Sequence, residues 1–168
     1  RDREGSRGLG DVYKRQGLKG WTRALTVLIP TAIALLALSF LYPSLNFQFT
    51  NFDDPQLLIN NAIVKNFDVK AMFSQFVYKD YLPLTFLSYA LEHHFYGMDP
   101  KVFHTTNLTL HLSNIFLLFF LIYHISQKNL FVSAMTSLLF AIFPTQPESV
   151  VWITERKDVL SVFLFLLS

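Results

Sequence analysis

The stretch VFHTTNLTLHLSNIFLLFFLIYHI, Val102 to Ile125, runs for 24 residues without Asp, Glu, Lys or Arg. At 1.5 Å per residue, a helix of that length covers the roughly 30 Å of a bilayer's hydrocarbon core. Within it His104, Asn107, His111 and Asn114 recur at intervals of three, four and three, which puts all four on one helical face. Polar groups at membrane depth turn towards the bundle interior, where they bond to neighbouring helices or line a cavity. Hydrogen bonding between helices is the ordinary use of such residues. His104, nearest the end that faces the large loop, is the member placed to reach a site.

Reading outward, Asn129 to Pro147 gives a further 19-residue run, joined to the first by Ser126-Gln127-Lys128 alone. So short a connector predicts an antiparallel helical hairpin. Upstream, Ala24 to Tyr42 is 19 residues without a charge. It exceeds the roughly 7–15-residue core of a cleaved leader, and Leu41-Tyr42-Pro43-Ser44 lacks the small residues of a cleavage site. It is therefore read as an uncleaved anchor. Val159 to Ser168 opens a fourth apolar run that stops in mid-course. The predicted fold class is all-α: a polytopic helical membrane protein, truncated within its fourth span. The composition agrees, with 52% hydrophobic and 15% charged residues, 18 Phe and 7 Tyr. A net charge of +2, with both signs spread along the chain, excludes a nucleic-acid-binding face. The absence of cysteine excludes disulfides, thiolate zinc sites and cysteine nucleophiles.

Residues 1–16 have a different composition, polar and of mixed charge, and Asp11-Val12-Tyr13-Lys14-Arg15-Gln16 resembles a translated transposase adapter. They are set apart from the membrane domain, residues 17–168. Lys19, Arg23 and Lys128 crowd the ends of the first three spans on one side, which reads as cytoplasmic and places the N-terminus there. The opposite loops hold Lys65, Lys70, Lys79, Lys101, Arg156 and Lys157, spread more thinly and balanced by acids. Residues 43–101 then form a 59-residue extracytoplasmic loop. Inside it Pro83 opens a helix that Gly97 ends. Leu84, Leu87, Leu91 and Phe95 share a stripe of that helix, which turns Ser88 and Glu92 towards water or a cleft. A second short helix is expected around Val69 to Phe76.

Three groups carry possible chemistry. Asn51-Phe52-Asp53-Asp54-Pro55 follows the first span by about ten residues, so two adjacent carboxylates lie beside a low-dielectric boundary. They suit a general base towards a hydroxyl, or oxygen ligands for a divalent cation, the one cofactor this reading suggests. A solvated turn is the plain alternative, since Asp before Pro starts turns. The second group is Glu148 to Asp158. Glu148 and Glu155 share a face if the segment is one helix, and Arg156 and Lys157 can neutralise an anionic lipid-linked substrate. An interfacial anchor with Trp152 in the aromatic belt is the alternative. The third is His93-His94, whose side chains point about 100° apart and suit a surface helix better than one metal ion. Asn107-Leu108-Thr109 matches a glycosylation acceptor but lies inside a span.

The order of motifs is more specific than any one of them. It runs Phe52-Asp53-Asp54-Pro55, Asn60-Asn61, Tyr81-Leu82-Pro83-Leu84-Thr85, Phe95-Tyr96-Gly97-Met98-Asp99-Pro100, then Phe103-His104 to Asn107 and Leu110-His111. It closes with Pro147-Glu148-Ser149-Val150-Val151-Trp152 and Glu155-Arg156-Lys157-Asp158-Val159-Leu160. The series resembles the N-terminal membrane part of bacterial relatives of the transmembrane and tetratricopeptide-repeat-containing O-mannosyltransferases, members of the C-type glycosyltransferase superfamily. The resemblance covers residues 43–168. It implies a multi-span enzyme of the bacterial cytoplasmic membrane that moves a sugar from a polyprenyl-phosphate donor to a protein or glycan acceptor, often with tetratricopeptide repeats downstream. By position, Asp53 and Asp54 take the catalytic acidic motif, and Glu148, Arg156 and Asp158 match the second block, with His104 and His111 at the start of the second span. Glu155 and Lys157 join His104 and that block as candidate substrate-binding residues. One departure is that family members usually carry histidines where Phe143 and Gln146 stand. A non-catalytic anchor for a repeat domain and a transporter subunit are the competing readings.

Overall fold

The computed structural model describes the backbone of residues 3–143 and 146–168, and the side chains of residues 21–143 and 148–168. Among these, the regular elements are helices: α1 (Arg3–Leu41), α2 (Ala62–Lys65), α3 (Val69–Met72), α4 (Pro83–Tyr96), α5 (Pro100–Ile125), α6 (Leu130–Ile142), α7 (Gln146–Val151) and α8 (Arg156–Leu167). One isolated antiparallel bridge joins Val77 and Asp80. The stretch Trp21–Asn46 and helix α5 are, among the described residues, the two helical segments long and apolar enough to cross a membrane.

Helix α5 is the central element, packed against α1, α6 and α8. Its start is set by Pro100 at the first helical position and by Asp99, whose carboxylate accepts from the Lys101 amide at 3.0 Å. The hairpin to α6 turns through Gln127 and Lys128, both left-handed at φ 55° and 68°. The Lys128 amide there donates to the Tyr123 carbonyl at 2.8 Å. Asn129 caps α6 through the Val132 amide.

Helix α6 is shorter than the apolar run from Asn129 to Pro147 predicts. It ends at Ile142, and its 13 residues span about 20 Å, less than a hydrocarbon core. Phe143 is extended, with φ −60° and ψ 135°. The residue before a proline is driven out of the α region by the ring, and Pro144 follows. The side chain of Gln146 lies outside the described residues.

Residues 43–101 fold onto the end of α5 rather than forming an open loop. Leu57, Leu58, Val64, Met72, Phe86, Tyr89, Ala90 and Phe103 make one buried cluster, completed by Ile153 from the far end of the chain. The short helices are held by side-chain caps, Asn61 on the Ile63 amide and Asp68 on the Ala71 amide. Helix α3 stops at Met72, four residues short of the expected Phe76. Helix α4 runs from Pro83 to Tyr96, and Gly97 leaves it at φ 72°. On α4 Leu84, Leu91 and Phe95 face outward and Leu87 packs on the buried cluster, while Glu92, expected towards water or a cleft, is buried. An apolar stripe can face outward when the alternative is a buried cation without its carboxylate, and Arg156 is that cation.

Candidate functional site

Asp53 and Asp54 have different surroundings. The chain turns at this point, with the Asp53 carbonyl accepting from the Gln56 and Leu57 amides at 3.0 and 2.8 Å. The turn sends the Asp54 side chain inward, where it has no exposed surface. Its Oδ2 accepts from the Thr50 amide at 2.7 Å, and its Oδ1 accepts from the Thr154 hydroxyl at 2.9 Å and the Trp152 indole at 3.2 Å. Three neutral donors satisfy the buried carboxylate, each such bond to a charged group being worth about 1.5–3 kcal/mol. Asp54 therefore ties the first acidic motif to the segment 152–154, about 100 residues later in the chain. Asp53 is half-buried, and its carboxylate has no hydrogen-bond partner among the described residues.

The segment from Glu148 to Asp158 is not one helix. Helix α7 ends at Val151, Trp152 is extended at φ −82° and ψ 119°, and a 3-10 turn over Ile153–Glu155 leads into α8. Glu148 and Glu155 consequently do not share a helical face. Glu148 is exposed and lines a pocket with His104, while Glu155 accepts from Lys157 at 3.1 Å. Burial alone would lower the Lys157 pKa. The bond and charge of Glu155, with Asp80 and Asp158 nearby, outweigh it and raise the pKa, keeping the ammonium charged. Asp158 is exposed and accepts from the Ser149 hydroxyl at 3.1 Å.

Arg156 has no exposed surface at all. Its Nε donates to the Asn107 amide oxygen at 2.7 Å, its Nη1 to Glu92 at 2.7 Å and Ser88 at 3.0 Å, and its Nη2 to the Phe103 carbonyl at 2.9 Å. The guanidinium also lies 4.5 Å from the Tyr89 ring centroid. Tyr89 in turn donates to the Ile153 carbonyl at 2.9 Å, and burial pushes its pKa well above the ordinary phenol range. This one side chain thus joins α4, α5 and α8. Glu92, Ser88 and Tyr89 have no assigned role in the sequence reading. Their only sequence signal is a carboxylate and a hydroxyl four residues apart in an otherwise apolar helix.

The polar face of α5 is buried throughout: His104 is 2% exposed, and Asn107, His111 and Asn114 have no exposed surface. Asn114 donates to the Val159 carbonyl at 2.9 Å, so α5 and α8 are bonded at that depth. His104 differs from the asparagines in that neither ring nitrogen has a partner of regular geometry. It lines a 410 Å³ pocket with Phe47, Gln48, Thr50, Glu148 and Trp152. Two of these, Thr50 and Trp152, are donors to Asp54. The pocket is therefore joined to Asp54, though not to Asp53, through these two residues. His93 and His94 lie on α4, away from this pocket lining. Among the described residues no group of three His, Cys, Asp or Glu converges to hold a metal ion.

No protein-family model matches the chain, and no solved structure matches it. Among curated proteins it is 33% identical over 128 residues to the human protein O-mannosyl-transferase TMTC1, covering 69% of this chain and 14% of that protein. The mouse TMTC1 matches to the same extent. Human TMTC4, also a protein O-mannosyl-transferase, is 28% identical over 141 residues, covering 70% of this chain and 19% of that protein. The chain spans less than a fifth of the length of these relatives. Over the greater part of its own length, this chain is a sequence relative of the protein O-mannosyl-transferases TMTC1 and TMTC4.

Proposed function

We propose that the chain is part of a multi-span membrane glycosyltransferase that moves a sugar from a polyprenyl-phosphate-linked donor to a protein or glycan acceptor at the extracytoplasmic face. The observation that carries the reading is the divided acidic pair. Asp54 is held by Thr50, Trp152 and Thr154, which leaves the neighbouring Asp53 half-buried, its carboxylate without a hydrogen-bond partner among the described residues. In the proposed step the acceptor hydroxyl oxygen bonds to the anomeric carbon as the bond from that carbon to the phosphate oxygen breaks. The hydroxyl proton passes to Asp53, and the polyprenyl phosphate departs with the bonding electrons. Asp54 positions the turn. Arg156, whose donors are occupied by Glu92, Ser88, Asn107 and Phe103, positions the start of α8, where Lys157 follows it. Lys157, paired with Glu155 and partly exposed, is the cation proposed to face an anionic lipid, and a divalent cation, if used, would be held at Asp53 or Asp54. The density of Lys and Arg at Lys19, Arg23 and Lys128 supports a cytoplasmic N-terminus.

Full-length protein in membranes, supplied with a polyprenyl-phosphate sugar and a hydroxyl-bearing peptide, tests this. Asp53→Asn should lower transfer by a factor of 100 or more, on the order of general-base catalysis. Transfer at the parental rate would refute it. A second reading, a non-catalytic anchor for a downstream tetratricopeptide-repeat domain, is favoured by one observation: Asp54 and Arg156 are both fully engaged in structural bonds. On that reading Asp53→Asn leaves partner binding and phenotype intact.

A further inference from the structure

Helix α3 and the turn that follows it send large side chains in two directions. Met72 is buried and Val77 packs on the same buried cluster, so the segment is pinned from the inside. Four rings are left outside: Phe73, Phe76, Tyr78 and Tyr81 are 46, 72, 65 and 47% exposed. Phe76 packs on Tyr81 at 5.5 Å, and the Tyr81 hydroxyl donates to the Phe73 carbonyl at 3.0 Å. Val77 and Asp80 exchange backbone hydrogen bonds at 3.0 and 2.9 Å across a two-residue turn. The central residues of that turn, Tyr78 and Lys79, are both left-handed, at φ 51° and 78°. Asn and Gly ordinarily fill such a turn, and a bulky ring at positive φ is an outlier. Strain of this kind persists where the displayed side chains have a use, and here it holds Tyr78 and Lys79 at an exposed tip.

Contiguous exposed rings mark a surface that something covers. The neighbours of this one point to lipid. Tyr81 and Leu84 share a cleft of about 200 Å³ with Lys157, Leu160 and Leu164 of α8. Leu164 is itself exposed, as are Phe165 and Leu167 beyond it, so the patch runs on into the apolar surface of the segment read as the fourth span. Aromatic rings interleaved with lysine suit the boundary of a bilayer, because the ring enters the acyl region while the hydroxyl or ammonium stays among the headgroups. Lys70 and Lys79 are exposed beside the rings. Of the two acids in the segment, Asp68 accepts from the Ala71 amide at the start of α3 and Asp80 is half-buried in the turn. We infer that the turn from Phe73 to Tyr81 is seated in the membrane surface, its four rings entering the headgroup boundary and fixing the height of residues 43–101 above the bilayer. The inference rests on the reading of Trp21–Asn46 and α5 as membrane spans, and is independent of the sugar chemistry.

Full-length protein carrying p-benzoylphenylalanine in place of Phe76, reconstituted in vesicles of phosphatidylethanolamine and phosphatidylglycerol and irradiated, reports what covers the ring. The expected product is a phospholipid adduct, seen as a gain of one lipid mass, at a yield comparable to that from the same photoreactive residue in place of Phe40 or Phe120, which are exposed on the two spans. Tyr78→Ser in the same background should lower the yield at position 76 severalfold, because one of the rings that seat the turn is gone. Its circular dichroism melt in detergent should match the parent, since Tyr78 is exposed, and shows that a lost adduct is not a lost fold. Adducts to protein alone, whether to a partner or to a later segment of the full-length chain, overturn the inference, and so does a yield unchanged by Tyr78→Ser. Lipid adducts from positions 40 and 120 but none from position 76 remove the seated turn and leave the spans standing. No lipid adduct from any of the three removes the membrane reading together with the turn.

Discussion

Arg156→Met is the most revealing single change in this fold. Met retains much of the buried volume but none of the four donor contacts. It strands the Glu92 carboxylate, which is 9% exposed, together with the Asn107 amide oxygen and the Phe103 carbonyl. Removing one partner of a buried ion pair costs about 3–5 kcal/mol, because the remaining charge keeps its desolvation penalty and loses its compensation. For a chain of this size 1 kcal/mol corresponds to roughly 2–4 °C, so the melting temperature should fall by roughly 6–20 °C. Glu92→Gln should also destabilise, by less, since the amide oxygen still accepts from Nη1. The double variant should be less damaged than the sum of the two, because neither charge is then left alone. Thermal melts in detergent, followed by circular dichroism across the four proteins of the cycle, measure this. A fall of less than about 2 °C for Arg156→Met, or strict additivity in the double variant, would refute the view that this pair holds α4 to α8.

The remaining predictions concern the acidic pair, a buried phenol and the orientation of the chain. Asp54→Ala should lose stability as well as transfer, by about 2–5 kcal/mol for stranding three donors, while Asp53→Asn should melt within about 0.5 kcal/mol of the parent; equal melts for the two would refute the division of roles. Tyr89 holds its proton more tightly folded than unfolded, so its contribution is fully present below its ordinary pKa of 10.0 and declines as pH rises above it. Melting temperature should thus drop between pH 9 and 11, and Tyr89→Phe should flatten that drop; an unchanged slope counts against it. Because the chain has no cysteine, Lys65→Cys and Lys128→Cys each give a single label site. A membrane-impermeant maleimide added to intact cells should react with the first and not the second, and the reverse pattern would invert the proposed topology.

The helical plan was legible because its causes are local. The apolar runs, the proline at Pro83 and the glycine at Gly97 each act within a few residues; α4 lies where those signals put it, and α5 begins at Pro100, two residues ahead of the run read from Val102. The burial of His104, Asn107, His111 and Asn114 follows from their shared face by the same local periodicity. Where a local signal fell inside a run of apolar residues it was easily missed. Phe143 leaves the helix ahead of Pro144, and the run that reads as a span of 19 residues yields a helix of 13.

Sequence by itself therefore determined the helical class, the order of the apolar segments and the candidacy of Asp53, Asp54 and the block from Glu148 to Asp158. It could not assign roles within those groups, since adjacent residues of one type are equivalent until a partner is chosen for them. Tertiary structure chose the partners. Asp54 meets Thr50, Trp152 and Thr154, while Asp53 does not. Arg156 meets Glu92 across 64 residues, while Lys157 stays half-buried beside Glu155. The physical reason is desolvation: a charge taken out of water must find its partner wherever the fold places one, and those partners lie far along the chain, beyond the reach of any local pattern.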